Sequence, residues 1–152
     1  MKSISKSYGV PGLRLGVLAS GDTELIAAMK KDVAIWNINS FGEFYMQIAE
    51  KYNKDYETAL VRFRAERSRF AAELSHIDGL RVIPSQANYF TAELTNGMAA
   101  SQLTKLLLVK HSILIKDLSK KLGGGAIIRI AIRGSADNER LIAELKTEMQ
   151  VK

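Results

Sequence analysis

Hydrophobic residues recur with a helical period in the first half of this chain and with a strand-like pattern later on. Up to about residue 76 the pattern predicts three helices, at about 22–33, 40–52 and 54–76. Ser40 is a candidate N-cap for the second helix, and Asn53 interrupts the chain before the third. The third helix has apolar residues three or four positions apart, which predicts a core-facing stripe of Tyr56, Leu60, Phe63, Phe70, Leu74 and Ile77.

After Asp78 and Gly79, short apolar segments replace the helical period, which is typical of a sheet. The predicted strands cover residues 80–83, 87–94, 113–115 and 126–133. Helices are predicted at about 98–110 and from Ser135, a candidate N-cap, towards the C-terminus. Three or four strands with helices on one side predict an α/β fold, here a two-layer α+β unit from about residue 37 to 152.

The first 36 residues predict one strand, Leu13–Ala19, and the helix that follows it. One strand and one helix cannot bury both of their faces, and a lone strand leaves its backbone N–H and C=O groups unpaired. We therefore expect residues 1–36 to belong to a larger sheet outside this chain. On its own, the strand is expected to be disordered, to pack differently, or to associate with the strand of a second copy.

Composition narrows the class of protein. With 152 residues, 47% hydrophobic and 25% charged, the chain has the make-up of an average globular domain. It has no apolar run near the roughly 20 residues that span a bilayer. The lack of cysteine excludes disulfides and thiolate metal sites and fits a cytoplasmic location, while His76 and His111 are isolated, so no metal site is predicted. The net charge of +6 could attract nucleic acid, but basic and acidic residues alternate along the predicted helices. We therefore expect small anionic ligands and neither nucleic acid nor a membrane as partner, with a basic nucleic-acid-binding domain as the alternative.

The segment Ser3–Gly16 reads SISKSYGVPGLRLG and combines residues that suit a phosphorylated aldehyde cofactor. Lys6 supplies an amine that can bond to the aldehyde. Ser3 and Ser5 supply hydroxyl donors for the phosphate, and the planar guanidinium of Arg14 can pair with two phosphate oxygens. Glycines at positions 9, 12 and 16 allow the backbone to turn tightly between these side chains.

Written as S-x-S-K-x-x-G-x-x-G-x-R-x-G, this segment resembles the lysine segment of fold-type-I pyridoxal-phosphate enzymes in the class I/II aminotransferase family. Within the family it is most similar to histidinol-phosphate aminotransferases and threonine-phosphate decarboxylases. Three later segments resemble the family in the same order, and they read WNINSFGE, VIPSQANYF and IIRIAIRGSADNERLI. The resemblance therefore covers nearly the whole chain.

The resemblance implies pyridoxal 5′-phosphate as the cofactor and assigns roles to individual residues. Lys6 would be the catalytic lysine, which bonds to the cofactor and moves a proton at the substrate Cα. Ser3, Ser5 and Arg14 would hold the cofactor phosphate. Arg129 would bind the substrate α-carboxylate, a task that suits a guanidinium because it is always charged and fixed in geometry.

Strand alternation places Arg129, Ala131 and Arg133 on one face of the last predicted strand. Two arginines around a small residue motivate the hypothesis that the substrate carries a phosphate or a second acid besides its carboxylate. The alternative, Arg133 as a surface ion-pair residue, has equal weight. The resemblance also makes Asn88 a possible active-site neighbour, although a buried, hydrogen-bonded asparagine is the interpretation that we favour there.

Only five residues precede Lys6, whereas the family takes the aspartate that pairs with the pyridine nitrogen from a region ahead of this lysine. We therefore expect residues 1–36 to be a remnant of the large cofactor-binding domain and residues 37–152 to be the small domain, inactive as isolated. The parent enzyme is expected to be a homodimeric aminotransferase that uses an amino acid or a phosphorylated amine together with a 2-oxo acid. A decarboxylase of the same family and a non-catalytic binding or dimerisation module are the alternatives.

Overall fold

The computed structural model describes residues 1–149, and the chain divides into two compact units, Met1–Leu60 and Val61–Lys152. The first unit contains strands β1 (Lys2–Ser3) and β2 (Gly16–Val17), helices α1 (Ile4–Ser7), α2 (Thr23–Asp32) and α3 (Ser40–Ala49), and 3-10 turns at Pro11–Leu13 and Glu50–Tyr52. Helix α4 (Asn53–Ser75) begins in the first unit and ends in the second.

Strands β1 and β2 form an antiparallel pair, in which Ser3 lies opposite Gly16. The strand predicted at 13–19 is therefore too long, because the chain is still in a turn at Leu13 and Arg14 adopts a left-handed conformation with φ of 54°. Only two residues remain extended. Their partner is β1 of the same chain. The expected association with the strand of a second copy is therefore not what the structure shows.

Asn39 caps helix α3, in place of the predicted Ser40. Its Oδ1 accepts a hydrogen bond of 2.9 Å from the backbone N–H of Gly42. Its Nδ2 donates to the carbonyl oxygen of Leu13 at 2.9 Å. Because an amide side chain both accepts and donates, Asn39 ties the start of α3 to the turn that precedes Arg14. Asn53, predicted as an interruption, is the first residue of α4.

In the second unit, four strands form one antiparallel sheet in the order β3-β4-β6-β5. These strands are β3 (Leu80–Ile83), β4 (Tyr89–Leu94), β5 (Lys116–Asp117) and β6 (Ile127–Ala131). The helices of this unit, besides the end of α4, are α5 (Ala100–His111) and α6 (Ser135–Met149). The sequence predictions for β3, β4, β6 and α5 agree with these bounds to within two residues at each end.

Strand β5 is the element that the sequence misplaces, since residues 113–115 were expected to form it. Helix α5 ends at His111, and its C-cap Ser112 has a left-handed φ of 54°. The N–H of Ile113 then bonds back to the carbonyl of Leu107 at 3.0 Å. Because this N–H closes the helix, the chain joins the sheet only at Lys116.

The core of the second unit lies between one face of the sheet and the helices. On β6, Ile128 and Ile130 are fully buried while Arg129 is exposed, as the predicted alternation requires. Phe70 of α4 meets Phe90 of β4 edge to face, with ring centroids 6.0 Å apart. The predicted α/β fold, a two-layer sheet with helices on one side, is confirmed.

The first unit has no comparable core, since Gly42 is the one buried residue among 1–60. This is consistent with the prediction that residues 1–36 belong to a larger domain, which stays a prediction. Within residues 1–149, none of the helices is long and apolar enough to cross a lipid bilayer.

Candidate functional site

The predicted lysine segment folds into one short, exposed structure in the first unit. Ser3 is the N-cap of α1, and its Oγ accepts a hydrogen bond of 3.4 Å from the backbone N–H of Ser5. The Ser3 hydroxyl also donates to the Ser5 hydroxyl, with 3.2 Å between the two oxygens. Lys6 follows in the same helix with an exposed side chain. The structure thus brings the two hydroxyls together and places Lys6 one residue after Ser5 in the same helix.

The pairing of β1 with β2 places the turn that carries Arg14 beside this helix. The N–H of Ile4 donates to the carbonyl of Leu15 at 3.3 Å, which holds the two segments side by side. Between them, Gly9 takes a φ of 68°, a value that suits glycine because any other residue would bring its Cβ close to the backbone. Arg14 lines an open cavity of about 470 Å³ together with Tyr8, whose neighbours in the lining include Ile4, Asn37, Tyr45 and Asn53.

These residues fit a phosphorylated aldehyde in their chemistry. The segment Ser3–Gly16 contains hydroxyl, guanidinium and ammonium groups and no acidic side chain. The hydroxyl and guanidinium groups can donate hydrogen bonds to a phosphate, and the lysine amine can react with an aldehyde. Ser3, Ser5 and Lys6 do not line the cavity that Arg14 lines. Ser3, Ser5 and Lys6 therefore share one short segment of backbone, and Arg14 lies on the neighbouring turn.

A second group of cations lies on the exposed face of the sheet in the second unit. Lys116 of β5 pairs directly with Arg129 of β6 in the antiparallel register, so the two side chains project from the same face. Both residues are exposed and line an open cavity of about 430 Å³. Within residues 1–149, neither of them forms an ion pair with a carboxylate. Two like charges placed opposite each other destabilise a sheet, so an anion bound between them would relieve their repulsion.

Sequence reasoning missed Lys116, because the strand that carries it was predicted three residues too early. The alternation of Ile113, Ile115 and Asp117 with the residues between them could have assigned Lys116 to an exposed face. Its position opposite Arg129 depends on the register between β5 and β6, for which the sequence carries no signal.

Arg133, the other arginine of the two-anion hypothesis, is engaged elsewhere. Its Nε donates to Asp137 Oδ2 at 2.7 Å, and both side chains are more than half exposed. This is the surface ion pair that formed the alternative for Arg133. The structure leaves Arg129 free and pairs Arg133, so the cation nearest to Arg129 in the register is Lys116.

A buried asparagine fixes the backbone that follows β6. Asn138 is 1% exposed. Its Oδ1 accepts from the N–H of Arg133 and its Nδ2 donates to the carbonyl of the same residue, both at 3.0 Å. The Nδ2 also donates to Glu66 Oε1 at 2.7 Å. Ser135, predicted as a cap, is the first residue of α6, and its hydroxyl donates to Glu66 Oε2 at 3.0 Å.

Glu66 is the acceptor at the centre of this network, and its environment favours the charged form. Hydrogen bonds from Arg69, with further ones from Asn138 and Ser135, lower the pKa of Glu66 from 4.5 to about 2, against the opposing effect of burial. The hydrogen bond with Glu66, together with the negative charges of Glu66, Glu73 and Glu139, raises the pKa of Arg69. Glu66 therefore links α4 to the start of α6 as a carboxylate over the whole neutral range.

Acid titration is expected to expose this contribution. Because the pKa of folded Glu66 lies below its ordinary value, unfolding takes up a proton, and the stabilisation is complete above about pH 4.5 and lost as the pH falls towards 2. In Glu66→Gln, the free energy of unfolding should no longer show this fall between pH 4.5 and 2. Urea unfolding at pH 7, 4 and 3 measures it, with Glu57→Gln on the exposed side of α4 as the control that keeps the wild-type slope. Parallel pH profiles of wild type and Glu66→Gln would contradict the assignment.

Asn88 differs from the interpretation favoured at the sequence level. Its side chain is exposed and makes no hydrogen bond within residues 1–149. Its backbone carbonyl accepts from the N–H of Ile132 at 3.0 Å, which continues the pairing of β4 with β6. The interpretation of Asn88 as a buried, hydrogen-bonded residue is therefore wrong, because the residue lies at the end of the sheet where no neighbour covers it. Its role next to an active site stays a prediction.

The sequence analysis treated His111 as isolated, but in the structure it contacts two carboxylates. Its Nδ1 lies 2.9 Å from Glu144 Oε2 and its Nε2 lies 2.9 Å from Glu148 Oε1. Lys110 Nζ also donates a hydrogen bond of 3.1 Å to Glu148 Oε2. The hydrogen bond from His111, followed in size by that from Lys110, lowers the pKa of Glu148. The two carboxylates bracket the ring from opposite nitrogens, so the group ties α5 to α6.

Comparison with known proteins gives the following relationships. The model of the family "Aminotransferase class I and II" matches residues 1–145. The CMP-5′-(3-aminopropyl)phosphonate synthase of Streptomyces rubellomurinus is 37% identical over 145 residues, which are 94% of this chain and 23% of the relative. The L-serine phosphate decarboxylase of Sulfurospirillum multivorans is 35% identical over 150 residues, 97% of this chain and 38% of the relative.

Among solved structures, the histidinol-phosphate aminotransferase from Clostridium acetobutylicum superimposes with a TM-score of 0.86 at 28% identity. The match covers 96% of this chain and 44% of that protein. The chain therefore spans less than half the length of each of these proteins.

Proposed function

The chain belongs to the aminotransferase class I and II family, whose cofactor is pyridoxal 5′-phosphate, and from this premise we propose that it supplies the lysine segment and the small domain of an enzyme acting on a phosphorylated amino acid. Residues 1–36 would contribute to the cofactor-binding domain, and residues 37–152 would form the small domain. A homodimeric assembly and a cytoplasmic location are further predictions from the family.

The cofactor would be held through the lysine segment. Lys6 would bond to its aldehyde, while Ser3, Ser5 and Arg14 would bind its phosphate. When bound, pyridoxal phosphate supplies an electron-withdrawing ring that stabilises negative charge at the substrate Cα. The amine of Lys6, once released, would hold or deliver the proton at that carbon.

One observation supports a phosphorylated substrate above all: Lys116 lies directly opposite Arg129 with no carboxylate between them. A phosphate monoester carries about −1.5 to −2 charges at neutral pH, whereas a carboxylate carries one. A phosphate would thus neutralise both cations and relieve their repulsion, and a carboxylate would neutralise one of them. The pair is therefore matched to the phosphate.

The same placement favours decarboxylation over the transamination that the family name suggests. If the phosphate occupies Lys116 and Arg129, no arginine of this pair is left to hold the α-carboxylate. That carboxylate can then leave as carbon dioxide, its bonding electrons stay on Cα, and a proton from Lys6 takes its place. The name of the serine-phosphate relative supports this order of preference.

Transamination is the second candidate, supported by the histidinol-phosphate aminotransferase fold match. In that case Arg129 would hold the α-carboxylate, Lys116 would hold the phosphate, and the Cα–H bond would break instead. The two reactions use the same residues and differ in which anion Arg129 receives.

Product analysis with O-phospho-L-serine and L-serine distinguishes these possibilities. The enzyme that contains this chain, supplied with pyridoxal phosphate, is expected to release carbon dioxide from the phosphorylated amino acid and to use L-serine poorly, chiefly through a higher KM. With 2-oxoglutarate added as amino acceptor, formation of a 2-oxo acid from the amino acid and of glutamate from the acceptor, without carbon dioxide, would assign transamination. Equal KM values for the two amino acids would contradict the phosphate site, and failure to turn over either would favour a non-catalytic module.

A further inference from the structure

We propose that Tyr89 is a positioning residue for Arg129, which it holds over its ring so that the guanidinium keeps its N–H groups free for an anion. The inference rests on the anion site of the proposed function. It concerns how that site stays open in the absence of a ligand, and it assigns a role to a residue outside the predicted set.

The register of the sheet brings the two side chains together. Thr91 of β4 lies opposite Arg129, and Tyr89 lies opposite Ala131. Tyr89 is therefore the diagonal neighbour of Arg129 on the exposed face, within reach of a long side chain. Arg129 Cζ lies 5.1 Å from the centroid of the Tyr89 ring, which is a cation–π distance.

Comparison with two other arginines of this unit shows what the ring contributes. Arg81 donates to Glu93 across the sheet, and Arg133 donates to Asp137. In both cases a carboxylate occupies N–H donors of the guanidinium and cancels its charge. Arg129 is held by an aromatic face instead, which attracts the cation without accepting a hydrogen bond.

The ring also opposes the repulsion from the neighbouring strand. Lys116, directly opposite Arg129, pushes the guanidinium away from the centre of the site. Attraction to Tyr89 on the other side keeps Arg129 over the sheet face. Because Ala131 is small, the space next to both cations remains available to a ligand.

The aromatic face of Tyr89, and not its hydroxyl, carries this role. The hydroxyl makes no hydrogen bond within residues 1–149, and the side chain is 37% exposed. Tyr89→Phe should therefore preserve the effect, whereas Tyr89→Leu should remove it while filling a similar place on the strand.

Side-chain NMR of the full chain tests the proposal. In wild type and in Tyr89→Phe, the Arg129 Nε–H resonance is expected to show an upfield ring-current shift and to respond to added inorganic phosphate. In Tyr89→Leu the ring-current shift should disappear, and the phosphate Kd at Arg129 should rise roughly two- to fivefold. Arg81→Gln serves as the control, with both readouts unchanged, and thermal unfolding checks that each variant is folded.

The results distinguish a failure of the positioning role of Tyr89 from a failure of the anion site at Arg129. An unchanged ring-current shift and phosphate Kd in Tyr89→Leu would overturn the positioning role. Loss of phosphate affinity in Tyr89→Phe equal to that in Tyr89→Leu would also overturn it, since the hydroxyl would then be responsible. If Arg129 of the wild type shows the ring-current shift but no response to phosphate, the contact with Tyr89 stands and the anion site of the proposed function fails.

Discussion

Replacement of Lys6 by alanine is expected to abolish turnover by the enzyme that contains this chain. The variant loses the amine that bonds to the cofactor and the group that moves the proton at Cα. Proton transfer by a positioned side chain alone is worth about 10²- to 10⁴-fold in rate, and loss of the covalent bond adds to it. We expect a fall in kcat of at least about 10³-fold, measured as product formation from O-phospho-L-serine at saturating substrate.

Lys2→Ala is the matched control for this prediction. Lys2 lies four positions earlier, immediately before the segment, with its Nζ 5.8 Å from the centroid of the Tyr8 ring. It is exposed and is assigned no part in the reaction. A loss of activity in Lys2→Ala as large as that in Lys6→Ala would show that the segment responds to any lost lysine and would remove the special role of Lys6.

Replacement of Arg129 or Lys116 by glutamine is expected to weaken phosphate binding by different amounts. Hydrogen bonds to charged groups contribute about 1.5–3 kcal/mol, and a guanidinium can pair with two phosphate oxygens. Arg129→Gln should therefore raise the KM for O-phospho-L-serine by about 10²-fold. Lys116→Gln, which removes a point charge with no fixed fork, should raise it by about tenfold.

Lys116→Gln should also have an opposite effect on stability. It removes a like-charge contact across the sheet, so the free energy of unfolding is expected to rise by about 0.2–1 kcal/mol, as measured by urea unfolding of the full chain. Lys105→Gln, on the exposed surface of α5, should change neither quantity. A less stable Lys116→Gln variant that binds phosphate as tightly as wild type would contradict the account of this pair.

The lysine segment could be predicted from the sequence because its parts are contiguous. Ser3, Ser5 and Lys6 lie within one turn of backbone, so their spacing along the chain is close to their spacing in space. The fold class was predictable for a similar reason. Apolar residues in α4 and in β6 repeat with the period of the element that they form, and the structure buries Phe70 and Ile130 as the period requires.

The remaining features depend on contacts between distant parts of the chain. Asn39 and Ser40 are both good N-caps by residue type, and the hydrogen bond from Asn39 to Leu13 belongs to a contact that local sequence does not reveal. The partnership of Lys116 with Arg129 depends on strand register. The place of Arg133 likewise follows from where α6 presents Asp137 and Asn138.

The most direct test of the central claim is to locate the cofactor on the polypeptide. The enzyme that contains this chain would be purified with pyridoxal phosphate bound, reduced with borohydride and mapped by peptide mass spectrometry. The account predicts one pyridoxyl group per chain, attached to Lys6, with Lys2 unmodified. Labelling spread over exposed lysines, or a single label on any lysine other than Lys6, would contradict it.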